Sequence, residues 1–262
     1  MFDEFIKTPV SQNIKSVCSV MNEYQSIAVY PSIEYILNSL YLQVTGNIEQ
    51  KLLLIAWQTA TNNNKLRYNI FKGNQKCVSS LADKNKLYCS LIREIRANSI
   101  PKYNPYTIPS KDLFNKAKGS IDTIIKYHPL CDCFSKNIAE YCNVSQKIQN
   151  HIEDLTCENI QKNASDFFEE ISSSTTPKKQ KNNDKKELLG FKNDLLKSIY
   201  NDFIYQKRND LAHNIREIPQ LTIPELFDSR VRFDNIFIHL LILTYIDNIF
   251  IHLYKDYKES IA

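Results

Sequence analysis

Arg208, Asn209 and His213 fall within six residues of one another in Tyr205-Gln206-Lys207-Arg208-Asn209-Asp210-Leu211-Ala212-His213-Asn214, and together they hold the parts of one reaction. A guanidinium grips a phosphate with its planar fork and stabilises the charge that builds on a pentacoordinate phosphorus. An imidazole titrates near neutrality, so it can take or give the proton that moves as a 2′,3′-cyclic phosphate forms. RNA carries its own nucleophile, the 2′-hydroxyl, so such a site calls for no metal and no cofactor. Asn209 is suited to orienting phosphate or ribose by hydrogen bonding, and Tyr205, Lys207 and Asn214 stand close enough in sequence to contact a substrate.

The same residues have a plainer use. Arg208 would serve as a solvated helix-end residue, and His213 as a C-terminal cap facing the helix dipole. A second arginine–histidine pair, Arg232 and His239, has six intervening residues where Arg208 and His213 have four. There Phe233 follows the arginine and the whole segment is apolar, which suits a core helix better than a site. His239 and His252 accordingly read as core histidines, with His239 keeping a secondary reading as a site-lining residue. His128, Cys131, Cys133 and Cys142 are the one Cys/His cluster, but their spacing is irregular and lacks the second short pair of a structural zinc site.

Helical periodicity governs the elements that must hold Arg208 and His213. Pro31-Ser32 opens a long helix through Ile36, Leu40 and Ile48, with a break or kink expected at Thr45-Gly46 and a stop at Asn62-Asn63-Asn64. A second apolar segment covers Leu81 to Ile95, three prolines mark a loop over Ser99–Ser110, and two helices follow at Lys111–Tyr127 and Leu130–Ile171. The latter is long enough to break near Asn143-Val144-Ser145. Residues 172–186, SSSTTP followed by KKQKNNDKK, read as a mobile linker with nothing apolar to pack. Its lysines lead into the motif helix and are available to RNA phosphates. This divides the chain into a helical N-terminal portion at 1–171, the linker, and a C-terminal helix pair at 187–262.

In that pair, Leu188, Leu195, Leu196, Ile199, Phe203 and Leu211 form a stripe at helical spacing, and a last helix should run from near Pro224 to about Tyr257. Five residues along an ideal helix place Arg208 and His213 about 140° apart, with Arg208 turned away from the stripe. Convergence would need a distorted helix end, or two copies paired across a two-fold axis. Asp234–Leu240 and Asp247–Leu253 repeat DNIFIHL at an offset of thirteen, which rotates the copies by about 140° so that they cannot share a face.

An arginine, a polar neighbour and a histidine after four intervening positions resemble the signature of the HEPN superfamily, the helical "higher eukaryotes and prokaryotes nucleotide-binding" domains. Placement at the end of the penultimate helix, Leu-Ala before His213 and Asn214 after it are similar to toxin and phage-defence branches. The resemblance covers mainly Lys185–Tyr257, the first 180 residues reading as an elaborated helical N-terminal portion. It implies an all-α antiparallel bundle that pairs as a homodimer, with Arg208 and His213 as catalytic residues. The implied activity is metal-independent cleavage of single-stranded RNA, in a toxin or antiphage abortive-infection role with an antitoxin or defence-system partner. Some relatives are silenced through a tyrosine two residues beyond the histidine; Ile215 stands there, which leaves that mode without support. Other relatives are inert scaffolds, so a non-catalytic module binding a protein or nucleotide is the alternative.

Composition agrees with a helical chain and excludes several classes. Four glycines among 262 residues leave no phosphate-cradling glycine-rich loop, and no dinucleotide fingerprint is present. A net charge of +4 permits a nucleic-acid partner without demanding one. Seven cysteines, an odd number, behind an N-terminus without the basic start and apolar run of a secretory signal point to reduced thiols and a cytoplasmic setting. The most apolar stretch, Phe237 to Tyr254, is interrupted by His239, Asp247, Asn248 and His252, and reads as a buried core helix rather than a membrane span.

Overall fold

The computed structural model describes residues 2–21, 30–64, 67–68, 78–100, 103–104, 108–126, 134–156, 196, 199–213 and 235–262. All secondary structure among them is helical: α1 (Phe2–Lys7), α2 (Ser11–Met21), α3 (Tyr30–Asn62), α4 (Leu81–Asn98), α5 (Ser110–Ile125), α6 (Ser135–Thr156), a π-helical turn (Ile199–Ile204), α7 (Tyr205–His213) and α8 (Ile236–Ser260).

Local sequence accounts for these boundaries. Ser80 caps α4, its Oγ accepting the Asp83 N–H at 3.1 Å, while Leu87, Leu91 and Ile95 recur every four residues and are buried. Phe114, Ala117, Ile121 and Ile124 give α5 its inward stripe, and Tyr141, Val144, Ile148 and Ile152 do the same for α6. Two expected interruptions are not formed. α3 runs unbroken through Thr45-Gly46, where the Thr45 hydroxyl bonds back to the Tyr41 carbonyl at 3.1 Å, and α6 runs unbroken through Asn143-Val144-Ser145. The linker at 172–186 and the earlier stripe residues Leu188 and Leu195 lie outside the described residues.

α8 begins later than the sequence suggested. Asn235 is its cap, with extended backbone and a side-chain oxygen that accepts the Phe237 N–H at 3.1 Å. From Ile236 to Ile251 every residue is buried. The helix is long and apolar enough to cross a membrane by length and composition, but 94% of its most apolar window is covered by the bundle. Helices α3, α4, α5 and α6 pack around it, and one core runs continuously from α1 to α8.

A helix buried on all sides must satisfy its polar groups inside the protein. The two DNIFIHL copies do this against different neighbours. Asn235 Nδ2 donates to the Asn137 carbonyl of α6 at 2.7 Å, whereas Asn248 Nδ2 donates to the Leu113 carbonyl of α5 at 3.1 Å. The thirteen-residue offset thus points equivalent asparagines at separate helices. His239 is fully buried, 6.0 Å from the Tyr41 ring, while His252 is not a core histidine: it sits half-buried 3.5 Å from Asp256.

The most consequential buried contact is ionic. Lys51 and Asp247, 4% and 2% exposed, meet at 2.8 Å. Lys51 Nζ also donates to the Thr8 carbonyl, and Asp247 Oδ2 accepts the Val10 N–H at 2.8 Å. Thr8 follows the end of α1 and Val10 precedes the start of α2. The pair therefore takes up two backbone groups that helix termini leave without intrahelical partners. Near the other end of α8, Asp3 accepts from the Tyr254 hydroxyl at 2.5 Å and from Gln58 Nε2 at 3.0 Å, with Lys258 at 3.2 Å. These contacts, led by the Tyr254 hydrogen bond, hold the Asp3 carboxyl down at about 2.

Two outcomes follow. Lys51→Met or Asp247→Leu alone should cost about 3–5 kcal/mol by urea denaturation, because each strands a buried charge. The double variant should lose clearly less than the two combined, and additive losses would refute this role. For Asp3, a depressed folded value means its stabilisation is full above the ordinary value of 3.8 and is lost as pH falls through about 2. The difference in melting temperature between wild type and Asp3→Asn should accordingly close across that window. A difference constant with pH would contradict the assignment.

Candidate functional site

The motif lies on α7, the helix that directly precedes α8 among the described residues. What precedes α7 matters to its chemistry. Residues Ile199–Ile204 form a π turn, in which backbone bonds run i to i+5 rather than i to i+4. A wider turn delays the side chains behind it around the axis, so the angle of an ideal helix does not carry across it to Arg208. Tyr200, Ile204, Tyr205 and Arg208 line one cleft together with Thr45, Ile48 and Glu49 of α3, Ser79 and Lys84 near the start of α4, and Leu243 of α8.

Two tyrosines fix this irregular segment. Tyr41 of α3 donates its hydroxyl to the Ile204 carbonyl at 2.5 Å, at the junction where π bonding gives way to α bonding. Tyr200 donates to the Ser79 carbonyl at 2.9 Å. Burial, more than any neighbour, holds the Tyr200 phenol well above 10, so it stays a neutral donor. Lys84, also buried, donates to the Val78 and Ser79 carbonyls at 2.6 and 2.7 Å, and its ammonium lies 5.3 Å from the Tyr200 ring centre.

At the mouth of the cleft Arg208 is half-buried and doubly held. Nη2 donates to Glu49 Oε2 at 2.9 Å, and Nη1 donates to Asn209 Oδ1 at 3.1 Å. Asn209, expected to face substrate, instead presents its carbonyl oxygen to the arginine beside it. Lys207 is half-buried on α7 and is not among the residues lining the cleft. His213 is the last residue of α7; its side chain, like the whole of Asn214, lies outside the described residues. The helix is α-helical from Arg208 to His213, so the five-residue step of about 7.5 Å and 140° stands undistorted.

Glu49 is the site residue that sequence reasoning missed, 159 positions from its partner. Its signal was slight: an acid beside Ile48 and Leu52 on an otherwise apolar helix face. Of the Cys/His cluster, Cys142 is an exposed thiol and the other three lie outside the described residues. No group of three or more metal-ligating side chains occurs among the described residues. No protein-family model matches this chain, and comparison with curated proteins and with solved structures finds no match either.

Removing the hydroxyl that holds the π–α junction should leave the Ile204 carbonyl without its partner in a buried place. Tyr41→Phe is expected to lower stability by about 1–3 kcal/mol in chemical denaturation. An unchanged midpoint would mean that this carbonyl does not depend on Tyr41.

Proposed function

We propose that this protein is a metal-independent endoribonuclease of the HEPN type. It cleaves single-stranded RNA by attack of the 2′-hydroxyl on the adjacent phosphate, leaving a 2′,3′-cyclic phosphate. The observation that carries the reading is an arginine lining a small cleft, on a short helix that also carries a histidine five residues later. Arg208 stabilises the phosphorane charge, and His213 moves the proton on the 2′-oxygen or the leaving 5′-oxygen. A π turn beside the motif is consistent with a functional site, where such turns are frequent.

The undistorted step between Arg208 and His213 supports a composite site. Their backbone positions on α7 are about 140° apart, whereas a two-fold pair would bring one chain's motif up to the other's and supply both a base and an acid. Activity of this kind is toxic to a cell unless gated, which is the ground for a toxin or antiphage role with an inhibitory partner. A second reading, a non-catalytic module that binds a protein or nucleotide, is favoured by one contact: Glu49 already compensates the Arg208 charge.

Purified protein in EDTA should cut single-stranded RNA to products ending in cyclic phosphate, and it should elute as a dimer. Arg208→Ala should lower the rate by about 100- to 1,000-fold, and His213→Ala should abolish cutting while the helical circular dichroism is retained. Undiminished cutting by His213→Ala, or full activity from a strict monomer, would overturn the site.

A further inference from the structure

We propose that Glu49 is a positioning residue of this site: together with Asn209 it aims the Arg208 guanidinium at the phosphodiester, without touching substrate itself. The inference rests on the endoribonuclease reading for its chemistry, and on geometry for the rest. A guanidinium has five N–H groups in a rigid plane. Glu49 takes one of them on Nη2 and Asn209 takes one on Nη1, through a single contact each. The three others have no partner among the described residues, and Arg208 keeps 29% of its surface. Those donors suffice for the bidentate grip that arginine makes on a phosphate.

The alternative, a latch in which Glu49 occupies the place of the phosphate, fits the contact less well. A latch would claim both nitrogens in the forked geometry that a phosphate uses, and this contact claims one. Glu49 is also fixed from behind. It stands on α3 eight residues, or about 12 Å, beyond Tyr41, which holds the Ile204 carbonyl. One rigid helix thus sets both the start of α7 and the direction of its arginine. A long side chain aimed in this way loses less freedom when substrate binds, since its rotamer is already selected.

A carboxylate this close to a phosphate site repels substrate in the ground state while it orders the arginine for the transition state. Removing it should move binding and turnover in opposite senses, which a merely stabilising ion pair would not do. Glu49→Gln is expected to lower KM several-fold and to reduce kcat, keeping part of it because the amide oxygen still accepts from Nη2. Glu49→Ala should lower kcat by about 100-fold. Turnover of Glu49→Ala within about twofold of wild type, with Arg208→Ala inactive, would overturn the proposal. Nitrogen-15 relaxation of the Arg208 Nε–H, assigned by its absence in Arg208→Lys, gives a readout that needs no activity. It should report an ordered side chain in wild type and a mobile one in Glu49→Ala; equal order in both would overturn the proposal. If the wild type cuts no RNA and Arg208→Ala changes nothing, the endoribonuclease reading has failed, and the relaxation measurement decides the role of Glu49 alone.

Discussion

The fold hangs on a lysine and an aspartate sealed inside it. Burying two charges is expensive, and an ion pair alone seldom repays the cost of taking both from water. Lys51 and Asp247 do more than neutralise each other, because each also accepts the burden of a helix terminus: the Thr8 carbonyl after α1 and the Val10 amide before α2. The chain can therefore pass from one helix to the next with both of these polar backbone groups satisfied in the core. The consequence is register. α8 is apolar all round and would slide or rotate against its neighbours at little cost in buried area. Asp247 facing Lys51, Asn248 facing Leu113 and Asn235 facing Asn137 each fit at one position only.

α3 carries that constraint to the candidate site. From different sides of one helix it presents Tyr41 to Ile204, Glu49 to Arg208 and Lys51 to Asp247. Ten residues of helix, about 15 Å, thus tie the π turn, the motif arginine and the core helix to one rigid frame. The π turn is costly by itself, since its bonding is looser and leaves a carbonyl in need of a donor. Tyr41 supplies that donor, and the turn redirects Arg208 into the cleft.

Sequence reading caught what is local. Apolar spacing of three and four gave α4, α5 and α6, and the all-α class followed from it. The start of α8 was misplaced because Pro224 is a strong helix-opening signal, whereas Asn235 acts as a cap only with its amide anchored on α6. Breaks expected at Thr45-Gly46 and Asn143-Val144-Ser145 reflect real propensities that packing overrides. The π turn has no code in Ile199–Ile204; it exists because Tyr41 and Ser79, distant in sequence, take its hydrogen bonds. Asp247 was visible as a charge interrupting an apolar stretch, but nothing in its helix pointed to Lys51 as its partner. Of the candidate site, Arg208 and His213 were legible from residue chemistry, and Glu49 belongs to the tertiary structure.

The two halves of the motif consequently have different mechanical standing. Arg208 is committed inward, to α3 and to its neighbour Asn209, and its direction is a product of the whole bundle. His213 closes α7 one helical turn beyond Asn209, so the two share a side of the helix that Arg208 does not face directly. Asn209 steadies the arginine, its side-chain oxygen accepting from Nη1 at 3.1 Å. On the endoribonuclease reading, a phosphate gripped by Arg208 lies off the His213 side of the same chain.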